Sequence, residues 1–314
     1  MVNNMKKVFI DGSQGTTGLK IFDRLKKRDD IELLTLPDEL RKDIKSRKEA
    51  LNSADIAFLC LPDAAAIEAA ELVTNDDTVI IDTSTAHRTS EGWAYGFPEI
   101  FKEGFKTVAS SKRIASPGCY ASGFIALVKP LLDEGIVSPD HGFICHAVSG
   151  YSGAGKKGIA MYESDEKAPE LFAPREYALN QEHKHLKEMR KISGLSVTPI
   201  FCPYVCDYFS GMLVTVPVFK TDLKDGKTAE DIKAVYRSKY ASDIVKYKEA
   251  FDNGGFVAAN SKAELDSMAV TVAGNDDRLL LMALYDNLGK GASGAALECM
   301  NIVMGLPPEY GLDL

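Results

Sequence analysis

The chain has 314 residues, 45% of them hydrophobic, a length that favours two buried cores over one or three. Its 37 lysines and arginines against 45 aspartates and glutamates leave a net charge of −8, which disfavours a nucleic-acid backbone or an anionic membrane as the main partner. The N-terminal stretch from Met1 meets Asp11 too soon for a secretory leader, and the apolar segment from Cys119 to Leu132 is interrupted by Lys129. A soluble, cytoplasmic protein acting on a small molecule is expected.

In chain order, Lys7 to Asp11 reads as a strand, Gly12-Ser13-Gln14-Gly15-Thr16-Thr17-Gly18 as a glycine turn, and Leu19 to Lys27 as a helix. A strand at Ile31 to Leu36, a helix at Lys42 to Asn52, a strand at Asp55 to Leu61, a helix at Ala64 to Val73 and a strand at Thr78 to Asp82 follow. Such alternation predicts a parallel sheet covered by helices, an α/β domain of the Rossmann type. After Ser116 the texture changes. Pro117-Gly118-Cys119 opens a helix with Phe124, Leu127, Val128, Leu131 and Leu132 on one stripe, which Pro130 is expected to kink or shift.

From Phe143 onward the strands read as longer and more antiparallel. Gly211 to Phe219 alternates with period two, and Met268 to Ala273 and Leu279 to Leu284 flank the turn Gly274-Asn275-Asp276-Asp277. A last helix is expected at Ala292 to Met304. The second half therefore reads as an α+β catalytic or dimerising domain with a mixed or antiparallel sheet, and the boundary near residue 118 is a change of pattern rather than a linker.

The six cysteines, at 60, 119, 145, 202, 206 and 299, are scattered and read as reduced thiols. Cys202 and Cys206 have no neighbouring Cys or His pair to complete a tetrahedral metal site, so no metal is expected.

A pyrophosphate needs free backbone N–H groups at a helix N-terminus with no side chain in its way. Gly12, Gly15 and Gly18, with Ser13, Gln14, Thr16 and Thr17 between them, are placed to supply this, although a plain strand-to-helix turn uses the same glycines. After the second strand come Asp38, Arg41 and Lys42; the two cations favour the extra phosphate of NADP, and Asp38 would favour NAD.

Cys119 falls at the start of a helix, where the positive end stabilises a thiolate. A thiolate attacking an acyl phosphate expels phosphate, and the thioester formed accepts hydride from a nicotinamide. An acid–base partner is available in His183 or His185, which helical geometry would set about 200° apart. The cluster Ser149-Gly150-Tyr151-Ser152-Gly153-Ala154-Gly155-Lys156 offers amides and lysines to an anion such as the substrate phosphate, and Arg88 lies beyond the fourth strand, where parallel sheets place ligand contacts.

At Ser116-Pro117-Gly118-Cys119-Tyr120-Ala121-Ser122-Gly123 the chain resembles the N-acetyl-γ-glutamyl-phosphate reductases of arginine biosynthesis, especially their shorter form. Asp11 to Gly18, Tyr95-Gly96-Phe97-Pro98-Glu99, Ser149 to Lys156, His183-Lys184-His185 and Asp286-Asn287-Leu288-Gly289-Lys290-Gly291-Ala292 extend the likeness over nearly the whole length. The resemblance implies Cys119 as the acyl-accepting nucleophile, an acid–base histidine from His183 or His185, and an Asn287 segment touching the cofactor. It further implies that the final helix returns to the nucleotide domain, so that residues 1–118 with 289–314 bind NADP and 119–288 form the catalytic and oligomerisation domain. A homodimer or homotetramer is implied too. The expected activity is NADPH-dependent reduction of N-acetyl-L-glutamyl 5-phosphate. The alternatives are reduction of another acyl phosphate, as by the related aspartate-semialdehyde dehydrogenases, or a non-catalytic NADP-binding redox sensor with Cys119 as its switch.

Overall fold

In the computed structural model, which describes residues 5–314, the alternating runs of the N-terminal third become a wholly parallel six-stranded sheet. Residues 1–4, where the reading of the N-terminal stretch began, lie outside the described residues. Strands β1 (Lys6–Asp11), β2 (Ile31–Leu34), β3 (Ile56–Leu59) and β4 (Val79–Asp82) alternate with helices α1 (Thr16–Leu25), α2 (Ile44–Ser53) and α3 (Asp63–Leu72). Two short strands, β5 (Ala94–Tyr95) and β6 (Arg113–Ala115), flank α4 (Gly104–Ser110) and complete the sheet in the order β2-β1-β3-β4-β6-β5.

Every residue of β3 and β4 is buried, as expected of parallel strands covered by helices. Phe9 of β1, Ala57 and Leu59 of β3 and Ile80 of β4 pack with Leu51 and Ala54 at the end of α2 and with Ala69 and Val73 at the end of α3. Asp43 caps α2 by accepting the Ser46 N–H at 2.7 Å, so this helix starts where a capping side chain exists, two residues later than periodicity alone indicates.

The second sheet contains seven strands: β7 (Ile144–Gly150), β8 (Arg175–Glu176), β9 (Ile200–Cys206), β10 (Met212–Phe219), β11 (Val245–Tyr247), β12 (Met268–Gly274) and β13 (Arg278–Tyr285). Their order is β11-β12-β13-β10-β7-β9-β8. The sheet is mixed, because β7 runs parallel to β9 and β11 parallel to β12, while the other neighbours are antiparallel.

Helices α5 (Cys119–Asp133), α7 (His185–Ser193) and α8 (Ala229–Lys239) pack together on this unit, with α5 against β10 and β13 and α8 against β12; α6 (Gly155–Tyr162) follows the glycine cluster. Val214 of β10 faces α5, so the alternate residues Leu213, Thr215, Pro217 and Phe219 lie on the other face of the sheet. In register with them are Leu280 on β13 and His146 on β7, and this face leaves Ile144, Ile200, Phe219 and Leu280 exposed.

The last helix, α9 (Gly294–Val303), begins after a π-helical turn at Gly289–Ser293, later than the expected Ala292. By its contacts the chain divides into one unit made of residues up to Pro98, Glu103–Pro117 and Ala295–Tyr310, and another made of Glu99–Lys102, Gly118–Gly294 and Gly311–Leu314. In the first unit, α9 places the Cys299 thiol on the Gly96 carbonyl, and Asn301 accepts a hydrogen bond from Arg28 at 2.7 Å.

Pro130 does not end α5. Its missing N–H frees the carbonyl of Ala126, and its ring crowds the same turn. Tyr240, the C-cap of α8, makes up the loss by donating its hydroxyl to Ala126 O at 2.6 Å, and Tyr236, one turn earlier, donates to the next carbonyl, Leu127 O. Both rings are fully buried. Replacing Tyr240 with Phe leaves a buried carbonyl without its donor, and is expected to lower the unfolding free energy by about 1–3 kcal/mol in urea titration; an unchanged midpoint would show that the helix does not need this donor.

Candidate active site

In the first unit, β1 has β2 on one side and β3 on the other, so the connections leaving β1 and β3 diverge and open a crevice at the carboxyl ends of these strands. The glycine turn fills that place. Gly12 has φ +89°, and a Cβ there would lie 2.3 Å from the Cys60 carbonyl oxygen just beyond β3. A Cβ on Gly18 would meet the Gly12 carbonyl at the same 2.3 Å, so these two glycines let helix, turn and neighbouring strand close up. Gly15, by contrast, is exposed and has nothing nearer than 3.5 Å to an added Cβ.

Gly15 is also the N-cap of α1, where no side chain caps the helix and no acid stands in the first turn. The leading amides, those of Thr16, Thr17 and Gly18, therefore present an unopposed positive end beside Ser13 and Gln14. This cradle fits a dinucleotide pyrophosphate. Asp11, at the end of β1, is tied by a buried ion pair to Arg47 of α2 at 2.9 Å and is thus a brace of the turn. Arg41 and Lys42 follow β2; Lys42 is exposed, and Arg41 pairs with Asp38 at 2.7 Å, so the acid and one of the cations read as competing cofactor determinants are partners.

Arg88 is buried, with Nε on the Ser116 carbonyl at 2.9 Å and Nη2 on the Thr83 carbonyl at 3.0 Å. It braces the loops that leave β4 and β6. Nearby, the buried Asp82 carboxylate accepts from Ser84 and contacts His87 Nδ1 at 2.6 Å, and the His87 ring stacks on Trp93.

In the second unit, Cys119 is the first residue of α5 and is half-buried. Gly118, the N-cap, has no capping side chain of its own. Its N–H is instead held by the buried Glu188 carboxylate of α7 at 2.8 Å. Tyr285, the last residue of β13, enters the first turn: its hydroxyl donates to the Cys119 carbonyl at 2.6 Å and accepts the Gly123 N–H at 3.1 Å. Gly123 has no alternative here, because a Cβ would sit 2.7 Å from both that hydroxyl and the Val214 side chain.

The π-helical turn closes another side. Asp286 accepts the N–H groups of Leu288, Gly289 and Glu264, and Gly291 lies so close to Cys119 that an added Cβ would be 3.1 Å from the cysteine Cβ. Within the same turn, Lys290 forms a buried ion pair with Glu99 at 2.7 Å.

His183 and His185 do not share a helix, because α7 starts at His185; the expected 200° separation therefore does not apply. His183 sits in the preceding turn and accepts the His185 N–H on its Nδ1 at 3.1 Å. The two rings lie 4.7 Å apart, and each lies 6.0 Å from the ring of Tyr120, the residue after the cysteine. Tyr177 and Phe201 complete this aromatic wall around His183. Burial, with Lys184 adding to it, lowers the His183 pKa to about 4.

Ser149 is buried and donates to the Gly150 carbonyl, whereas Lys156 is exposed on the first turn of α6. Asn287 is buried and holds that loop in place, its Nδ2 donating to Ser152 at 2.9 Å and its Oδ1 accepting the Gly211 N–H at 2.9 Å.

Burial pushes Cys60 up to about 12, and likewise raises Cys145, Cys202 and Cys206. Cys145 and Cys206 are buried, while Cys202 is partly accessible. Among the described residues, no three His, Cys, Asp or Glu side chains gather as a metal would require, and no helix is long and apolar enough to cross a membrane.

Comparison with known proteins gives the class first. Residues 38–108 match the semialdehyde dehydrogenase NAD binding domain, and residues 119–287 match the semialdehyde dehydrogenase dimerisation domain. Among solved structures, aspartate semialdehyde dehydrogenase II of Vibrio cholerae, complexed with ASA, superposes with a TM-score of 0.72 at 17% identity over 96% of this chain and 99% of that one. The aspartate semialdehyde dehydrogenase of Candida albicans, solved with NADP, gives 0.68 at 15% identity, again over 96% and 99%. These distant likenesses establish the fold, and with the family models they define an oxidoreductase of the semialdehyde dehydrogenase type.

The sequence relatives are closer. N-acetyl-gamma-glutamyl-phosphate reductase 2 of Nostoc sp. is 42% identical over 98% of this chain and 100% of its own length, and the reductase of that name from Allorhizobium ampelinum is 44% identical over 95% and 98%. The chain belongs to the N-acetyl-gamma-glutamyl-phosphate reductase family.

The His183 shift has a testable consequence. From its ordinary value near 6.5 the folded-state pKa falls to about 4, so the unfolded chain takes up a proton first as the pH drops. Stability is fully present above pH 6.5 and is lost as the pH falls toward 4, by no more than about 2 kcal/mol for a partly exposed ring. Urea titrations at pH 7 and 4.5 should show a smaller acid loss for His183→Asn than for the wild type; equal losses would contradict a half-buried His183 that stays neutral as the pH falls through about 6.

Proposed function

We propose that the chain reduces N-acetyl-L-glutamyl 5-phosphate to N-acetyl-L-glutamate 5-semialdehyde and phosphate with NADPH, as a cytoplasmic step of arginine biosynthesis. The observation that carries this reading is the half-buried Cys119 at the head of α5, whose neighbour Tyr120 has its ring 6.0 Å from those of His183 and His185, in a chain of this reductase family. We assign NADP binding to the first unit, through the amides of the Gly12 to Gly18 turn, with Arg41 and Lys42 toward the 2′-phosphate. Catalysis and oligomerisation belong to the second.

The positive end of α5 stabilises the Cys119 thiolate, which attacks the acyl carbon. The C–O bond to phosphate breaks, phosphate departs with the electron pair, and a thioester joins the substrate to Sγ. Bound NADPH supplies the hydride that reduces this carbon. Cys119 then leaves as thiolate when the tetrahedral carbon collapses to the aldehyde.

His185 is assigned the proton transfers to and from the substrate oxygen. The reason is that His183 uses Nδ1 to hold the entry of α7 and stays neutral at physiological pH. Lys156, exposed on α6, is assigned to the leaving phosphate; Ser149 and Gly150 shape the loop that carries it, the Gly150 N–H being bonded to the Gly211 carbonyl at 3.0 Å, and Asn287 supports that loop through Ser152. Arg88 is read as a brace for the Ser116 carbonyl.

The open face of the second sheet, with Ile144, Ile200, Phe219 and Leu280, is proposed to receive a second copy of the chain, in keeping with a dimerisation-domain match over these strands. Leu280→Glu places a charge in that contact, and is expected to shift the protein toward monomer in analytical ultracentrifugation; an unchanged sedimentation coefficient would move the contact elsewhere.

The direct test is phosphate-dependent reduction of NADP⁺ with N-acetyl-L-glutamate 5-semialdehyde. Cys119→Ser should lower its rate by roughly 10³-fold or more while leaving NADPH binding nearly intact. Faster turnover of aspartate semialdehyde would favour the aspartyl-phosphate alternative, and no turnover of either aldehyde would favour a non-catalytic redox sensor.

A further inference from the structure

Arg175 stands on β8, at the edge of the second unit's sheet, and is partly buried among aromatic rings. Its Nη2 donates to the Tyr162 hydroxyl at 3.1 Å, and its guanidinium carbon lies 5.5 Å from the centre of the Tyr162 ring. Tyr162 is itself buried and stacked on Tyr151 at 4.7 Å. The Arg175 Nε is buried with no hydrogen-bond partner, and no carboxylate among the described residues pairs with this arginine.

The neighbouring cation is in a different state: Lys167 pairs with Asp207 and has its ammonium 4.2 Å from the Phe172 ring centre. Glu176, next in sequence, points to the opposite face of the strand and accepts the Tyr204 hydroxyl at 2.8 Å. A guanidinium N–H withdrawn from water without an acceptor is costly, and its retention points to an anionic ligand that supplies one.

The strand places this cation relative to the nucleophile. Tyr177 follows β8 and continues its pairing with β9, donating its N–H to the Pro203 carbonyl at 3.1 Å, so Arg175 and Tyr177, two residues apart, share a face about 6.6 Å from one another. The Tyr177 ring is 6.4 Å from that of Tyr120, which follows Cys119, and 5.7 Å from that of His183. Arg175 thus extends the wall that begins at the cysteine, one step further out.

We propose that Arg175, oriented by Tyr162, receives the carboxylate at the far end of the substrate chain and thereby selects carboxylate-bearing acyl phosphates over those without one. The inference rests on the function proposed above. The phosphate is a poorer match, because it is bonded to the carbon that Cys119 attacks, whereas Arg175 is separated from Cys119 by the Tyr120–Tyr177 pair. The planar guanidinium offers Nε–H and an adjacent Nη N–H side by side, a fork that matches two carboxylate oxygens.

The test compares N-acetyl-L-glutamate 5-semialdehyde with 4-acetamidobutanal, the same chain without its carboxylate, in phosphate-dependent NADP⁺ reduction. Arg175→Met should lower kcat/KM for the first aldehyde about 10- to 100-fold, chiefly through KM, and leave the second within about twofold. Tyr162→Phe keeps the ring but not the hydroxyl, and should show a smaller loss with the same selectivity; it carries the comparison if the methionine variant does not fold.

A loss shared equally by both aldehydes would reduce Arg175 to a packing residue and overturn the proposal. A raised KM for inorganic phosphate with an unchanged KM for the aldehyde would overturn it too, by moving the arginine to the leaving group. Failure of the wild type to oxidise N-acetyl-L-glutamate 5-semialdehyde would instead overturn the function on which the inference rests.

Discussion

A thiol becomes a nucleophile at neutral pH only where its anion is favoured, and the role proposed for Cys119 depends on its place at the N-terminus of α5. The surrounding groups serve to hold this terminus still. Glu188 fixes the amide before the cysteine, Tyr285 fixes the carbonyl of the cysteine itself, and the turn built on Asp286 brings Gly291 against its side chain. None of these needs to touch the substrate. If the terminus shifted, the sulfur would lose its aligned amides, and Tyr120 its place against the rings of His183 and His185, so in the proposed function positioning and activation are one constraint.

The two glycine-bearing turns use the same amino acid for different physical ends. In the nucleotide turn, Gly12 and Gly18 allow backbone to meet backbone, while Gly15 leaves space in front of uncapped amides. At the head of α5, Gly123 makes room for a tyrosine hydroxyl that bonds both the Cys119 carbonyl and the Gly123 amide. A glycine in a motif can therefore signal approach by a ligand or approach by another part of the same chain, and the neighbours decide which.

Much of this was legible in the sequence where the signal is local. Period-two alternation located β10, and continuous apolar runs located β3 and β4, because burial on one face or on both leaves those patterns. Cys119 at a helix start and the Gly12 to Gly18 turn were legible for the same reason. Long-range pairings were not. Tyr285 lies 166 residues from the carbonyl that it holds, and Lys290 lies 191 from Glu99. Glu188 left a faint mark, three residues after His185 on the same helix face. The short strands β5, β6 and β8 carry too few residues to show a period, and Arg175 stands on one of them. The start of α7 at His185 leaves no local mark either, because no capping side chain precedes it, and the geometry of the histidine pair follows from that start.

The bond between Tyr285 and the first turn of α5 also bears on how the chain acquires its reactivity. The helix that carries the cysteine emerges from the ribosome well before the strand that completes its first turn, and contacts of such sequence separation form late. Until β13 joins the sheet, the first turn of α5 lacks the hydroxyl that bonds the Cys119 carbonyl and the Gly123 amide. The setting in which the proposed function places the sulfur is therefore completed with the last stages of folding, not with the helix that carries it.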